Sequence, residues 1–563
     1  ATAAATAATA ATAAIATTAA PRATPVEAFK ELLYSTAGND HKGNASAQSH
    51  AFKAMAIMLE SPEDVLQEEP SITGKKRERM QFALQKFVLL KGWDAVEHLM
   101  EWEDTGTIDV VNDAATALDN AAAAAPSDQS MKYLHSSKLH DQVIKNCVRM
   151  VGNLLCCDLA WFNGAMLRNT LHPQRYEMWR HNLKTLTLDT QDKMNRTDLK
   201  IMHHANRALQ HLCHYHSCTT PQSNVWPDGA TQEDCNTLPL YADHLFPVHD
   251  ENKTQQQPVA DVVFVHGLSG GAFATWQSES SFQDGIDQNV KQFWPSMWFP
   301  NDFQRRARIP SRVLTFDYEA RPLRPVDAST SAVPLDLEEQ AEILLRKLRL
   351  AQVGKTGGPI VFVTHSLGGL VVKKMLLLAT EKYHCQQNNR NNTGATRQDS
   401  KENDFGDYSD LVHNTRAVVF YSCPHKGSPL MDMLLQPKDV LERWGLVSHA
   451  HPIVKWLLSD YPPSLAMNES FGELYGDVSL SIGETKKELL EGLVDMELAG
   501  MSELLSLVWD DVGVIQIVPK RSSNPGWGAF EEIPETPHTT INKPNNMKDR
   551  RYLAMMEFVA GQC

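Results

Sequence analysis

Ser366 stands in the stretch VFVTHSLGGL (361–370), between a run of β-branched and aromatic residues and the helical pattern LGGLVVKKMLLLA. A serine hydroxyl at such a strand-to-helix corner can attack an acyl carbon when a base takes its proton and backbone amides hold the oxyanion. The residues two before and two after must be small, because the turn is tight. Gly368 meets that need; Thr364, where the pattern G-x-S-x-G has its first glycine, meets it in part. The plainer role for Ser366 is to cap the following helix. The flanking strand pattern and the Gly368–Gly369 pair favour the nucleophile. A second stretch, VFVHGLSGG (263–271), sets His266, Gly267 and Leu268 at the end of another strand-like run. Glycine there lets an amide face the reacting carbon, which makes Leu268 one oxyanion donor and Leu367, following the serine, the other. The base is His538 in EIPETPHTTINKP, singled out among 22 histidines because it follows the last strand-like run.

These residues need elements to hold them. After Pro258, short β-branched runs alternate with helical stretches: DVVFVHG, SRVLTFDY, GPIVFVTHS, TRAVVFYSCP, DVSLSIGE and VGVIQIVP. That alternation predicts a mostly parallel sheet with helices on both faces. The stretch CQQNNRNNTGATRQDSKENDFGDYSD is too polar to bury and predicts a surface insertion near 385–410. A second insertion, near 486–510, reads as helical and as a lid. Residues 25–242 read as successive helices in which small residues such as Gly152 and Ala205 punctuate the apolar positions. An all-α, armadillo-like region is the expectation there, with a scaffolding or partner-binding role. The Pro- and Gly-broken stretch TTPQSNVWPDGATQED (219–234) marks the linker, and the second domain runs over 243–563. Residues 1–24 are an Ala/Thr-rich leader or linker.

The chain has 563 residues, 42% hydrophobic and 21% charged, with a net charge of −15. That charge argues against a protein built to grip phosphate backbones, so no nucleic acid partner is expected. Nine scattered cysteines form no disulfide framework, which points to a reducing compartment. No apolar run approaches the ~18 residues that span a bilayer, so a soluble or peripheral protein is expected.

In order, VVFVHGLSGGAFATW, WPSMWFPNDF, ARIPSRVLTFDYEA, VFVTHSLGGLVVKKML, AVVFYSCPHKGSPL, LSIGETK and NPGWGAFEEIPETPHTTINKP follow one another over roughly 258–563. This succession resembles the lipase-like α/β-hydrolase family of the mitochondrial serine-active-site-containing protein. The resemblance implies Ser366 as nucleophile and His538 as base, with Glu484 in SIGET as the acid because it ends a strand. Asp510, Asp511 and Glu535 are alternatives for the acid, since any carboxylate at that loop can orient the imidazole. It also implies a mitochondrial location and acyl exchange or hydrolysis on phospholipids such as phosphatidylglycerol, without a cofactor. Two departures bear on activity: Thr364 replaces a glycine, and Pro537, before the histidine, removes a backbone donor. They keep a second reading open, that of a catalytically inactive hydrolase-fold subunit of a large mitochondrial membrane complex.

The histidine-rich stretch HHANRALQHLCHYHSC (203–218) matches no standard zinc spacing and is read as helix surface and packing, so no metal is expected. His425 and Lys426 are expected to organise the loop after their strand, and Cys423 to lie in the core.

Overall fold

The structure is a computed structural model. It describes residues 128–162, 164–167, 169–187, 196–219, 239–250, 258–278, 292–320, 335–393, 408–435, 452–489 and 514–563, with a few shorter pieces between them and isolated positions from 77 to 93. Two compact units divide between Asp243 and His244. The leader at 1–24, residues 25–76 and 94–127 of the region expected to be helical, and residues 394–407 and 490–513 of the two insertions lie outside the described residues.

In the first unit, helices α1 (Asp128–Phe162) and α2 (Pro173–Thr187) each pack on α3 (Arg196–Thr219). On α2 the buried residues Tyr176, Trp179 and Leu183 recur at helical spacing, which makes one apolar stripe. Gly152 on α1 permits close approach, since a Cβ there would sit 3.0 Å from Arg207 Nη2 on α3. Arg207 is wholly buried and donates to Asn153 Oδ1 at 2.6 Å, with Asp243 3.5 Å away. Arg149 reaches the same Asp243 at 2.6 Å. Buried charge needs such pairing. His211 on α3 is occupied by backbone: its Nδ1–H donates to Gly152 O and its Nε2 accepts the Tyr241 amide, both at 3.0 Å.

The second unit is built on a seven-stranded sheet: β1 (Leu245–Asp250), β2 (Ala260–Val265), β3 (Ser311–Phe316), β4 (Ile360–His365), β5 (Thr415–Tyr421), β6 (Ser479–Glu484) and β7 (Ala529–Ile533), in the order β1-β3-β2-β4-β5-β6-β7. All neighbours are parallel except β1 against β3. The central strands ADVVFV and IVFVTH are buried at every position. That is why they read as continuous apolar runs: both faces are covered. Helices α4 (Phe299–Ala307), α5 (Leu337–Leu350), α6 (Leu367–Thr393), α7 (Pro462–Tyr475) and α8 (Arg550–Gln562) lie between or after these strands. Asp336 and Glu339 close a capping box at the start of α5. Phe264 of β2 anchors the core, edge-on to Trp276, Trp294 and Phe299 at 5.1, 5.2 and 6.0 Å. This is an α/β-hydrolase architecture.

Four elements add to or differ from the expectation. Among its described residues, VGVIQIVP contributes only the strand Val514–Ile515, paired antiparallel with Glu488–Leu489 outside the main sheet. The last sheet strand is β7, AFEEI, whose half-exposed side chains gave no apolar run. Strand β1 carries Pro247, tolerated because β1 is an edge strand whose register shifts between Pro247 and His249. The polar stretch after Cys385 begins as the last turns of α6 rather than as a loop.

Candidate active site

Parallel strands carry their carboxyl ends to one edge of the sheet, so β2, β4, β6 and β7 deliver their following residues to the same side. At the end of β4, Ser366 has φ +52°, a left-handed conformation uncommon for a non-glycine residue. Its amide donates to Tyr421 O of β5 at 2.9 Å, and α6 starts at the next residue. The turn is tight enough to dictate its neighbours. A Cβ on Gly368 would lie 2.4 Å from both Val265 O and His266 O, and one on Gly369 would meet Cys423 Sγ at 2.5 Å. Thr364 is accommodated because its hydroxyl turns into the sheet and donates to Val419 O at 2.9 Å.

The turn after β2 lies directly on the serine. A Cβ on Gly267 would come within 2.7 Å of Ser366 Cβ and 2.8 Å of His365 O. This turn is held by Tyr318, whose hydroxyl donates to His266 O at 2.9 Å and whose amide donates to His266 Nε2 at 3.2 Å. The two rings stack at 4.5 Å, and burial pushes the Tyr318 hydroxyl's pKa up. Leu268, the next residue, is half-buried at the rim, and Leu367 is fully buried. The Leu367 amide is the first of α6, one of those with no intrahelical acceptor.

Glu484 ends β6, fully buried, with both carboxylate oxygens engaged: Oε2 lies 2.6 Å from His538 Nδ1, and Oε1 accepts the Val518 amide at 2.9 Å. Burial works against a charged His538, but the Glu484 carboxylate and its hydrogen bond outweigh it, with Glu488 adding to them. The ring's pKa is held above its ordinary 6.5. Pro537 starts the turn that carries His538, its carbonyl accepting the amides of Thr540 and Ile541 at 3.3 and 3.1 Å. Of the alternative acids, Glu535 is exposed on the preceding turn with φ +53°, and Asp510 and Asp511 lie outside the described residues.

His538 and Ser366 are joined through His365. The His365 Nε2–H donates to His538 O at 3.1 Å and the two rings lie 4.9 Å apart. Burial, then the neighbouring His538, keeps His365 well below the usual histidine pKa and so neutral. Reading the sequence alone misses His365, Tyr318 and the Val518 amide; the position of His365 beside the serine is a signal that could have found it.

Behind the serine helix, Lys373 of α6 is fully buried and donates to His425 Nδ1 at 2.5 Å and to Asn468 Oδ1 at 2.6 Å. His425 Nε2 in turn faces Ser481 Oγ at 3.2 Å, so the loop after β5 is tied to α6, α7 and β6. Cys423 is buried in the same region, its thiol pushed up to about 12 by burial. Among the described residues no three His, Cys, Asp or Glu side chains gather as metal ligands, and no helix is long and apolar enough to cross a membrane.

No protein-family model matches the chain. Over 331 residues it is 27% identical to protein SERAC1 of Homo sapiens, covering 57% of this chain and 41% of that protein. Against protein SERAC1 of Bos taurus it is 27% identical over 337 residues, 58% of this chain and 42% of that one. The chain thus spans about two fifths of the length of these relatives. Among solved structures, Bacillus licheniformis lipase BlEst2 in mature form is 15% identical, covering 55% of this chain and 97% of its own, with a TM-score of 0.29. Phospholipase PlaB from Legionella pneumophila is 16% identical, covering 40% and 39%, with a TM-score of 0.25. Scores this low do not carry the fold, which rests on the sheet and the serine turn described above. The resemblance carried by the motifs is matched by these relatives, and the chain is a homologue of the serine-active-site-containing proteins over a little more than half its length.

Proposed function

We propose that the second unit is a serine hydrolase or acyltransferase acting on acyl esters. Ser366 attacks the carbonyl carbon while His538 takes the hydroxyl proton. Glu484 fixes the tautomer that leaves the far nitrogen of His538 free to act as base, and it stabilises the imidazolium. The amides of Leu268 and Leu367 hold the tetrahedral oxyanion. His538 then returns the proton to the leaving alcohol, and water or a second alcohol releases the acyl group from Ser366. The observation that carries this reading is the buried Glu484–His538 pair at 2.6 Å, tied through His365 to a serine in the left-handed conformation. Two local contacts support it at the departures from the motif: the Thr364 hydroxyl donates to Val419 O, and the Pro537 carbonyl accepts the amides of Thr540 and Ile541.

The resemblance carried by the motifs over roughly 258–563 implies a phospholipid or related acyl ester as the substrate class and a mitochondrial location. A lipid substrate favours peripheral association with a membrane, whereas a membrane protein complex is the partner of the inactive-subunit reading. For the first unit the reading is an armadillo-like scaffold, supported by the close approach of α1 and α3 at Gly152. The test is labelling of the full chain with a fluorophosphonate probe beside Ser366→Ala. Labelling that disappears in the variant supports the enzyme. Folded wild-type protein that stays unlabelled overturns it and leaves the inactive complex subunit as the reading.

A further inference from the structure

His538 is held from a side that the Ser–His–acid arrangement does not account for. The titratable groups facing it are Glu484 at the end of β6, His365 at the end of β4, and Glu488. Lys543 and His266 act on His365 in turn. Glu488 opens the short strand Glu488–Leu489 and is half-buried. Its carboxylate takes both polar hydrogens of Thr539, the residue after His538: the hydroxyl donates to Oε1, and the amide donates to Oε2 at 3.4 Å. On the other side of the histidine, the amides of Thr485 and Lys486 both donate to Thr536 O at 3.1 Å. The segment 485–488 is therefore stitched to 536–539 both before and after the imidazole.

We propose that Glu488 is a positioning residue for the hydrolytic reaction, clamping the His538 backbone through Thr539 and setting a second negative charge behind the imidazolium. The inference rests on the assignment of His538 as base. Its two parts are separable by substitution. Glu488→Gln keeps an oxygen for the Thr539 hydroxyl and removes the charge. Thr539→Val removes the hydroxyl and keeps the charge. A group that merely closed the strand pair with Val514–Ile515 would alter thermal stability and leave the titration of His538 where it was.

The experiment uses the full chain with isotope-labelled imidazoles, the His538 signal being assigned by its loss in His538→Gln. His538 is titrated by NMR in wild type, Glu488→Gln and Thr539→Val, and fluorophosphonate labelling rates are measured on the same samples across pH. With the charge removed, the His538 midpoint is expected to move down by roughly half a pH unit, the direction set by losing an opposite charge. Thr539→Val is expected to leave the midpoint in place and to slow labelling about fivefold, the range of a lost positioning contact. Labelled wild type with an unshifted midpoint in Glu488→Gln overturns this inference alone. Wild type that is folded and unlabelled overturns it together with the hydrolase reading.

Discussion

Lys373 sits on the helix that begins beside the nucleophile, with no exposed surface and with neutral acceptors, His425 and Asn468, as its hydrogen-bond partners. Burial pushes its pKa down from 10.5 to about 7. The unfolded chain keeps the lysine protonated up to about 10.5, so between about 7 and 10.5 it holds one proton more than the folded chain. Unfolding free energy therefore rises with pH in that window, by about 1.4 kcal/mol per unit. Below about 7 both states are charged and the full cost of the buried ammonium stands, about 5 kcal/mol for the whole interval. Lys373→Met removes the titration at similar volume. It also leaves His425 and Asn468 each without a donor, at about 1–3 kcal/mol apiece, a cost that does not vary in this window because burial holds the His425 pKa well below 6.5. Urea unfolding of both proteins from pH 7 to 9.5 should show the wild type gaining about 3 kcal/mol on the variant. The opposing effect is also built in: the Lys373 Nζ lies 5.4, 5.7 and 5.0 Å from the ring centroids of Phe420, Phe471 and Trp527, and each face favours the ammonium. A stability difference that stays flat across the range would mean that the rings retain the proton, and the reasoning from burial would be wrong.

Three further outcomes concern the site itself. Because His538 must be neutral to act as base and its pKa lies above 6.5, labelling should rise with pH through a midpoint above that value. Glu484→Gln removes the two larger causes of the raised pKa and leaves burial, the largest effect, opposed by Glu488 alone, so the midpoint should fall below 6.5 and the plateau rate by about 10³–10⁴. An unchanged plateau would show that another carboxylate orients the ring. Thr364→Gly should cost about 1–2 kcal/mol through the lost bond to Val419 O and poorer strand propensity, with labelling per folded molecule within about threefold of wild type. A gain of about tenfold would mean that Thr364 obstructs the turn.

Much of this unit was legible because its signals are local. The strand–turn–helix around Ser366 follows from a buried β-branched run meeting Gly368 and Gly369, whose missing side chains the turn requires. Strands β2 and β4 were readable because both faces are covered, and β7 was not, because AFEEI alternates toward solvent. Tertiary structure alone decided which carboxylate meets His538. Four lay at suitable places in the chain, and Glu484 pairs with the ring because parallel pairing of β6 with β7 brings the two loops to one edge. It also decided the fates of Lys373 and Lys374, adjacent in one helical stretch. Lys374 points outward to Glu338 at 3.0 Å, while Lys373 turns in among rings from β5, α7 and the loop before β7. Helical periodicity marks an inward face, but a charge there is tolerable only where distant segments supply acceptors and aromatic faces, and no stretch of sequence contains those contacts.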